Sequence, residues 1–173
     1  RIFHLSAQNR MSTATPTPVT TPLAVGTEAP DFALSSTSGQ TVSLSSFRGQ
    51  KAVLLAFFPL AFTSTCTTEL CAFGDDFDAF VGANVEVLPI SVDAVPSLKE
   101  FRNKYGMKVE LLSDFKREAS RAFGVLRPDT FFSERAYFLI DTQGIIRWMH
   151  VEEALGQRRE NAEILAAIQN VIG

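Results

Sequence analysis

The chain has 173 residues, enough for one domain, and its 46% hydrophobic content and 15 phenylalanines can fill a core without disulfide staples. Sixteen basic against nineteen acidic residues leave a net charge of −3, and no basic stripe offers a footprint for nucleic acid. No apolar run approaches the roughly 20 residues that cross a bilayer, and neither His4 nor His150 belongs to a Cys/His cluster with metal-ligand spacing.

Residues 1–24 are expected to form a flexible N-terminal extension ahead of a single domain over 25–173. The first 27 residues contain Arg1 and Arg10 but no acid, and Ser, Thr and Pro dominate from Ser12 to Pro22. That texture suits an upstream or vector-derived extension; a transit peptide is the alternative, and the lack of an apolar h-region disfavours a secretory signal. From Pro30 the pattern changes to punctuated apolar runs. Residues 31–36 and 41–44 alternate around Thr37-Ser38-Gly39-Gln40 and predict a hairpin. The continuous apolar run 52–58 predicts a fully buried strand. Apolar residues at Leu70, Phe73, Phe77 and Phe80, three or four apart, predict a helix over 65–81. A strand follows at 85–92, weakened locally by Pro89. Next come a helix at 96–105 with Pro near its start and Gly106 at its end, a short strand at 109–112 and a short helix at 117–123. Strands at 136–140 and 145–151 flank Asp141-Thr142-Gln143-Gly144, the clearest hairpin signal in the chain. An amphipathic helix over 158–172 closes it. Strands alternating with helices, then a late hairpin, predict an α/β sandwich with a mixed central sheet flanked by helices.

The chemistry concentrates in Pro59-Leu60-Ala61-Phe62-Thr63-Ser64-Thr65-Cys66-Thr67-Thr68-Glu69-Leu70-Cys71, between the most apolar strand and the next helix. Strand carboxyl ends are where α/β sheets bind ligands. Cys66 falls in the first helical turn, where backbone N–H groups and the dipole favour an anion. Such placement can bring a thiol from a pKa of about 8.5 into the range of about 3.5–7.5. Nucleophilicity falls as pKa falls, so ionisation alone gives a limited gain. A thiolate that displaces a leaving group also needs donors for the charge that develops on the departing atom. The Thr63 hydroxyl, three residues before Cys66, is within reach of the thiolate and of a substrate beside it. Pro59 lacks an N–H and can shield the site. Arg135, entering the strand at 136–140, is the best cationic fork in the chain. Each residue also has a plainer reading. Cys71 can be helix core, Pro59 strand punctuation, Thr63 a helix N-terminal residue, Glu69 a first-turn carboxylate favoured by the dipole and Arg135 a surface ion-pair residue. Phe62, Phe131 and Phe132 are candidates for the substrate's entrance.

The Pro59-x-x-x-Thr63-x-x-Cys66 arrangement, with Glu69 and with Arg135 in Glu134-Arg135-Ala136-Tyr137-Phe138-Leu139-Ile140-Asp141, resembles the active-site signature of peroxiredoxins. The resemblance runs from about Val25 to the C-terminus. Cys66-x4-Cys71 is similar to the peroxiredoxin Q (bacterioferritin comigratory protein) type, and Pro59-Leu60-Ala61-Phe62-Thr63 to the AhpE type. It implies a thioredoxin-like fold and reduction of hydrogen peroxide and organic hydroperoxides without metal, haem or other cofactor. It also implies that Cys66 becomes a sulfenic acid while Thr63 and Arg135 orient the peroxide, with Glu69 in support. The expected cycle ends in a Cys66–Cys71 disulfide reduced by thioredoxin or a similar dithiol, in a cytoplasmic monomer or homodimer with no nucleic-acid or membrane partner.

Residues five apart on a helix have Cα atoms roughly 8–9 Å apart, beyond the ~7 Å that a disulfide spans. Resolution by Cys71 therefore requires the first turns of the helix to unwind. The competing readings are a one-cysteine enzyme with structural Cys71, a thioredoxin-like dithiol oxidoreductase or redox sensor, and a cysteine hydrolase. The four-residue gap argues against the usual Cys-x-x-Cys exchanger, and no pattern links His150 to Cys66 as a hydrolase base. The peroxidase reading requires the Arg135 guanidinium beside the sulfur and the sulfur open to solvent.

Overall fold

A computed structural model describes residues 21–172. In chain order it contains β1 (Ala33–Ser36), β2 (Thr41–Ser43), a 3-10 turn (Leu44–Phe47), β3 (Ala52–Phe57), α1 (Ser64–Asp75) and α2 (Phe77–Gly82). Then follow β4 (Val85–Ser91), α3 (Val95–Tyr105), β5 (Leu112–Ser113), α4 (Glu118–Ala122), β6 (Ala136–Ile140), β7 (Ile146–Val151) and α5 (Asn161–Val171). The strands form one mixed sheet in the order β2-β1-β5-β4-β3-β6-β7, with β3 parallel to β4 and antiparallel to β6. Among the described residues no helix is long and apolar enough to cross a membrane.

All six residues of β3 are buried because helices cover both faces of the sheet. Ala52, Leu54, Ala56 and Phe58 point to one core with Leu70 and Phe73 of α1, Leu98 and Phe101 of α3, and Ile164 of α5. Val53, Leu55 and Phe57 point to the other, with Phe123 and Phe138. The period of two in a strand produces this division, and each fully buried Phe contributes about 1.5–3 kcal/mol.

Two expected elements differ in the structure. The single helix over 65–81 is two, broken at Asp76. Asn161 at the start of α5 donates to Ala72 O (2.8 Å) and Asp76 Oδ2 (2.9 Å), a tertiary contact that ends α1. The strand over 109–112 shrinks to β5, because Leu111 exchanges hydrogen bonds with Thr37 instead, through the Thr37 N–H and its hydroxyl. Pro89 lies inside β4, paired with Ala56. Ile90 O faces β3 and Ser91 O faces β5, so Pro89, two residues from Ser91, also faces the β5 side. There β5 begins only opposite Ile90, and the missing N–H is not needed. The expected extension lies mostly outside the described residues. Leu23 is described: its N–H donates to Phe123 O (3.2 Å) and its side chain packs on the second core.

Candidate active site

The loop from Pro59 to Thr63 links β3 to α1. Pro59 is buried directly behind the strand end. The Ala61 N–H donates to Asp93 Oδ2 (2.9 Å), and Ser91 Oγ donates to the same oxygen (2.7 Å), so the loop is tied to the end of β4. Phe62 has φ +65°, a left-handed backbone that a Cβ-bearing residue adopts at a cost. Its ring sits 4.9 Å from that of Phe101, with Lys104 Nζ 5.9 Å above it, and this packing holds the strained turn.

Thr63 is the extended residue ahead of α1, and its hydroxyl donates to Leu60 O (2.9 Å) rather than to the sulfur. Cys66 is the third residue of α1, within the turn where the helix dipole favours negative charge. Arg135 immediately precedes β6, whose Ala136 pairs with Phe57. Antiparallel pairing thereby carries Arg135 to the carboxyl end of β3, where α1 begins. The period of two puts Arg135, Tyr137 and Leu139 on the α1 face of the sheet.

Arg135 Nη2 donates to Cys66 Sγ (2.9 Å) and Nη1 to Glu69 Oε1 (2.9 Å). Its Nε and Nη2 also donate to Leu155 O (3.4 and 3.2 Å), which fixes the plane of the fork from the loop after β7. The other Glu69 oxygen, Oε2, accepts from the Tyr137 hydroxyl. Tyr137 Oη in turn accepts from the Arg159 N–H (3.1 Å). Burial pushes the Glu69 carboxyl up, opposed by the Arg135 charge and by the hydrogen bonds from Tyr137 and Arg135. Burial disfavours the Arg135 cation, but Glu69 and Cys66 outweigh it and raise its pKa, so the guanidinium stays charged.

The expectation that the sulfur lies open to solvent is not met. Cys66 is 0% exposed and belongs to the core cluster with Phe58, Leu70 and Tyr137. The physical reason is the Arg135 fork, whose bonds to Sγ, Glu69 and Leu155 O draw the first turn of α1 and the loop after β7 together over the sulfur. Thr65 Oγ1 also reaches Gly156 O (3.5 Å) across that seam. A cavity of about 700 Å³ lies alongside, lined by Phe62, Ser64, Thr67, Cys71, Tyr105 and Arg158 among others. Of the three candidate entrance aromatics, Phe62 lines it. Phe131 contacts Arg117 through its carbonyl and Phe132 lies under Arg127, away from this cavity. Cys71 is half-buried and free, and burial, with Asp75 nearby, pushes its thiol up. Among the described residues no group of three or more His, Cys, Asp or Glu side chains could hold a metal ion.

The structure thus joins Cys66, Glu69 and Arg135 in one buried network, sets Cys71 further along the same helix outside that network and leaves the Thr63 hydroxyl on Leu60 O. Sequence reasoning missed Tyr137, the Leu155 carbonyl, Asp93 and the Arg159 N–H. Only Tyr137 carried a readable signal, since it lies two residues past Arg135 and therefore on the same face of its strand.

The AhpC/TSA family matches residues 25–149. A chloroplastic 2-Cys peroxiredoxin of Hordeum vulgare is 39% identical over 155 residues, covering 84% of this chain and 73% of its own. Alkyl hydroperoxide reductase E of Mycobacterium tuberculosis is 39% identical over 133 residues, covering 76% and 87%. The crystal structure of reduced Plasmodium vivax 2-Cys peroxiredoxin superposes with a TM-score of 0.79 at 36% identity, covering 86% of this chain and 81% of that one. On the family match and these relatives the chain belongs to the AhpC/TSA peroxiredoxin family, thioredoxin-like in fold, and is a thiol-dependent peroxidase.

Proposed function

We propose that Cys66 is the sulfur that attacks the peroxide and that Cys71 resolves the product. The observation that carries this reading is the 2.9 Å contact between Arg135 Nη2 and Cys66 Sγ at the start of α1. The Cys66 thiolate attacks the terminal peroxide oxygen, an S–O bond forms, and the O–O bond breaks to release hydroxide or alkoxide, which takes up a proton. Sulfur loses two electrons and becomes a sulfenic acid. Arg135 and the first N–H groups of α1 face the charge that develops on the departing oxygen. Thr63 serves the same oxygen once its hydroxyl leaves Leu60 O, and Pro59 keeps water from the back of the site. Glu69 holds the fork in place. Since the sulfur is sealed at rest, entry of hydrogen peroxide or an organic hydroperoxide accompanies an opening of residues 59–66.

In the second step the Cys71 sulfur attacks Cys66 Sγ, an S–S bond forms, and the sulfenic oxygen leaves as water with the Cys71 proton. An external dithiol, of which thioredoxin is the simplest, restores both thiols by exchange. The cytoplasm, where thiols stay reduced, suits the two free cysteines.

Both cysteines lie on the continuous helix α1, so the disulfide needs that helix to unwind. Its first turns are built to do so. Thr63 makes no side-chain cap, four of the five residues Ser64–Thr68 are Ser or Thr, and Thr67 and Thr68 return their hydroxyls to Thr63 O (2.8 Å) and Ser64 O (3.0 Å). Such residues have weak helix propensity, and back-bonding of this kind loosens helices. Hydrogen exchange over residues 63–73 is expected to speed up at least about tenfold after one equivalent of peroxide, as for loss of a cooperative local unit. Equal protection in the two states would count against unwinding.

The direct test is stopped-flow oxidation followed by mass analysis. One equivalent of peroxide is expected to give a Cys66–Cys71 disulfide in the wild-type protein and a trapped Cys66 sulfenic acid in Cys71→Ser. The Cys71→Ser variant is expected to keep the first turnover but lose recycling by thioredoxin. Unimpaired recycling would make Cys71 structural and the enzyme a one-cysteine type.

A further inference from the structure

We propose that Tyr137 is a positioning residue for peroxide reduction, its hydroxyl locking Glu69 and through it the Arg135 fork onto the Cys66 sulfur. This rests on the reading of Cys66 given above. Tyr137 is 0% exposed in a strand whose other residues are Ala, Phe, Leu and Ile, so packing alone asks for no hydroxyl there. A buried phenol needs a partner, and here both its functions are engaged. The Arg159 backbone N–H can only donate, so it takes a lone pair of Tyr137 Oη, and the hydroxyl hydrogen is directed at Glu69 Oε2. With Arg135 Nη1 on Oε1, Tyr137 of β6 and Arg135 just ahead of it grip both carboxylate oxygens of a residue that is 2% exposed. Burial and the Glu69 charge push the Tyr137 pKa well above its ordinary value, so the group remains a donor at any pH where the enzyme works.

The charges around Glu69 come from several elements. Arg135, just ahead of β6, and Tyr137 within it face Glu69, Arg158 acts on it from the segment ahead of α5, the Arg159 N–H reaches it only through Tyr137, and Cys66 only through Arg135. Behind Tyr137, His150 stacks on the ring at 6.5 Å, and Glu152 pairs with Arg159 at 2.8 Å. Burial works to protonate Glu69, and the Tyr137 hydrogen bond opposes it. Without that bond Glu69 takes up a proton at a higher pH. A neutral Glu69 holds Nη1 only by a neutral hydrogen bond without the ion pair, so the other half of the fork is less firmly aimed at the sulfur.

Tyr137→Phe keeps the ring against Trp148 (6.3 Å) and His150, and thermal melting checks that the variant is folded. Single-turnover oxidation by hydrogen peroxide, followed through Trp148 fluorescence or by quench and mass analysis, is measured from about pH 5 to about pH 8, a range that lies above the ordinary carboxyl value. The rate for Tyr137→Phe is expected to fall about tenfold near pH 7, the scale of a hydrogen bond to a charged group, and to fall further as pH drops, with its acid limb at higher pH than in the wild type. In the same variant the infrared carbonyl band of a protonated buried carboxylic acid is expected at higher pH, and Glu69→Gln removes it. The double variant Tyr137→Phe/Glu69→Gln is expected to be no slower than Glu69→Gln alone. A pH–rate profile for Tyr137→Phe that overlays the wild type, an unmoved carboxyl band, or a double variant slowed by the product of the single effects would overturn the proposal. Undiminished oxidation in Cys66→Ser would instead sink the reading it rests on, whatever Tyr137 does.

Discussion

Replacing Cys66 with serine is expected to lower peroxide consumption by at least about a thousandfold, because a hydroxyl is a weak nucleophile at neutral pH and forms no sulfenic acid. The effect is expected without loss of fold. Serine nearly matches cysteine in volume, and its oxygen can accept the hydrogen bond that Arg135 Nη2 gives the sulfur. The melting temperature should therefore stay within a few degrees of the wild type. Peroxide consumption and thermal melting measured on one preparation decide the matter. Activity above about a tenth of wild type, far beyond what the missing nucleophile permits, would move the chemistry to Cys71 or to a bound contaminant.

Arg135→Met is expected to fail in two separable ways. Loss of a preorganised donor aimed at developing charge costs about 10²–10³ in rate. Loss of the cation also leaves Glu69, 2% exposed, without its ion-pair partner, and breaking such a buried pair costs about 3–5 kcal/mol of stability. The double variant Arg135→Met/Glu69→Leu removes the stranded carboxylate, and it should recover most of the melting temperature while the oxidation rate stays low. Arg135→Lys keeps the charge but cannot reach the sulfur, the carboxylate and Leu155 O with one planar fork, so it too should be slow. A double variant that regains the wild-type rate would reduce Arg135 to a structural partner of Glu69.

These expectations depend on a site of which the sequence disclosed part. Apolar patterning located nearly every element, since the continuous apolar run 52–58 suits a strand buried on both faces, and three-to-four spacing in Leu70, Phe73, Phe77 and Phe80 follows from helix geometry. Pro59, Thr63, Cys66, Glu69 and Cys71 could be picked out because they lie within thirteen consecutive residues. Arg135, 69 residues from Cys66, was reachable only through its place at the mouth of an apolar strand and a family resemblance. The break at Asp76 and the shortened β5 were not legible, since each depends on a side chain from elsewhere in the chain, Asn161 and Thr37.

What the sequence determined by itself is local: which residues form strands and helices, and that a cysteine begins the helix after the most buried strand. Tertiary structure decided the rest. Antiparallel pairing of β6 with β3 brings Arg135 and Tyr137 onto the first turns of α1. The loop after β7 supplies a carbonyl and an N–H, groups every residue has, so no residue type could announce them. It also decided that the sulfur is closed off at rest, because burial is a property of everything packed around a residue and not of the residue itself.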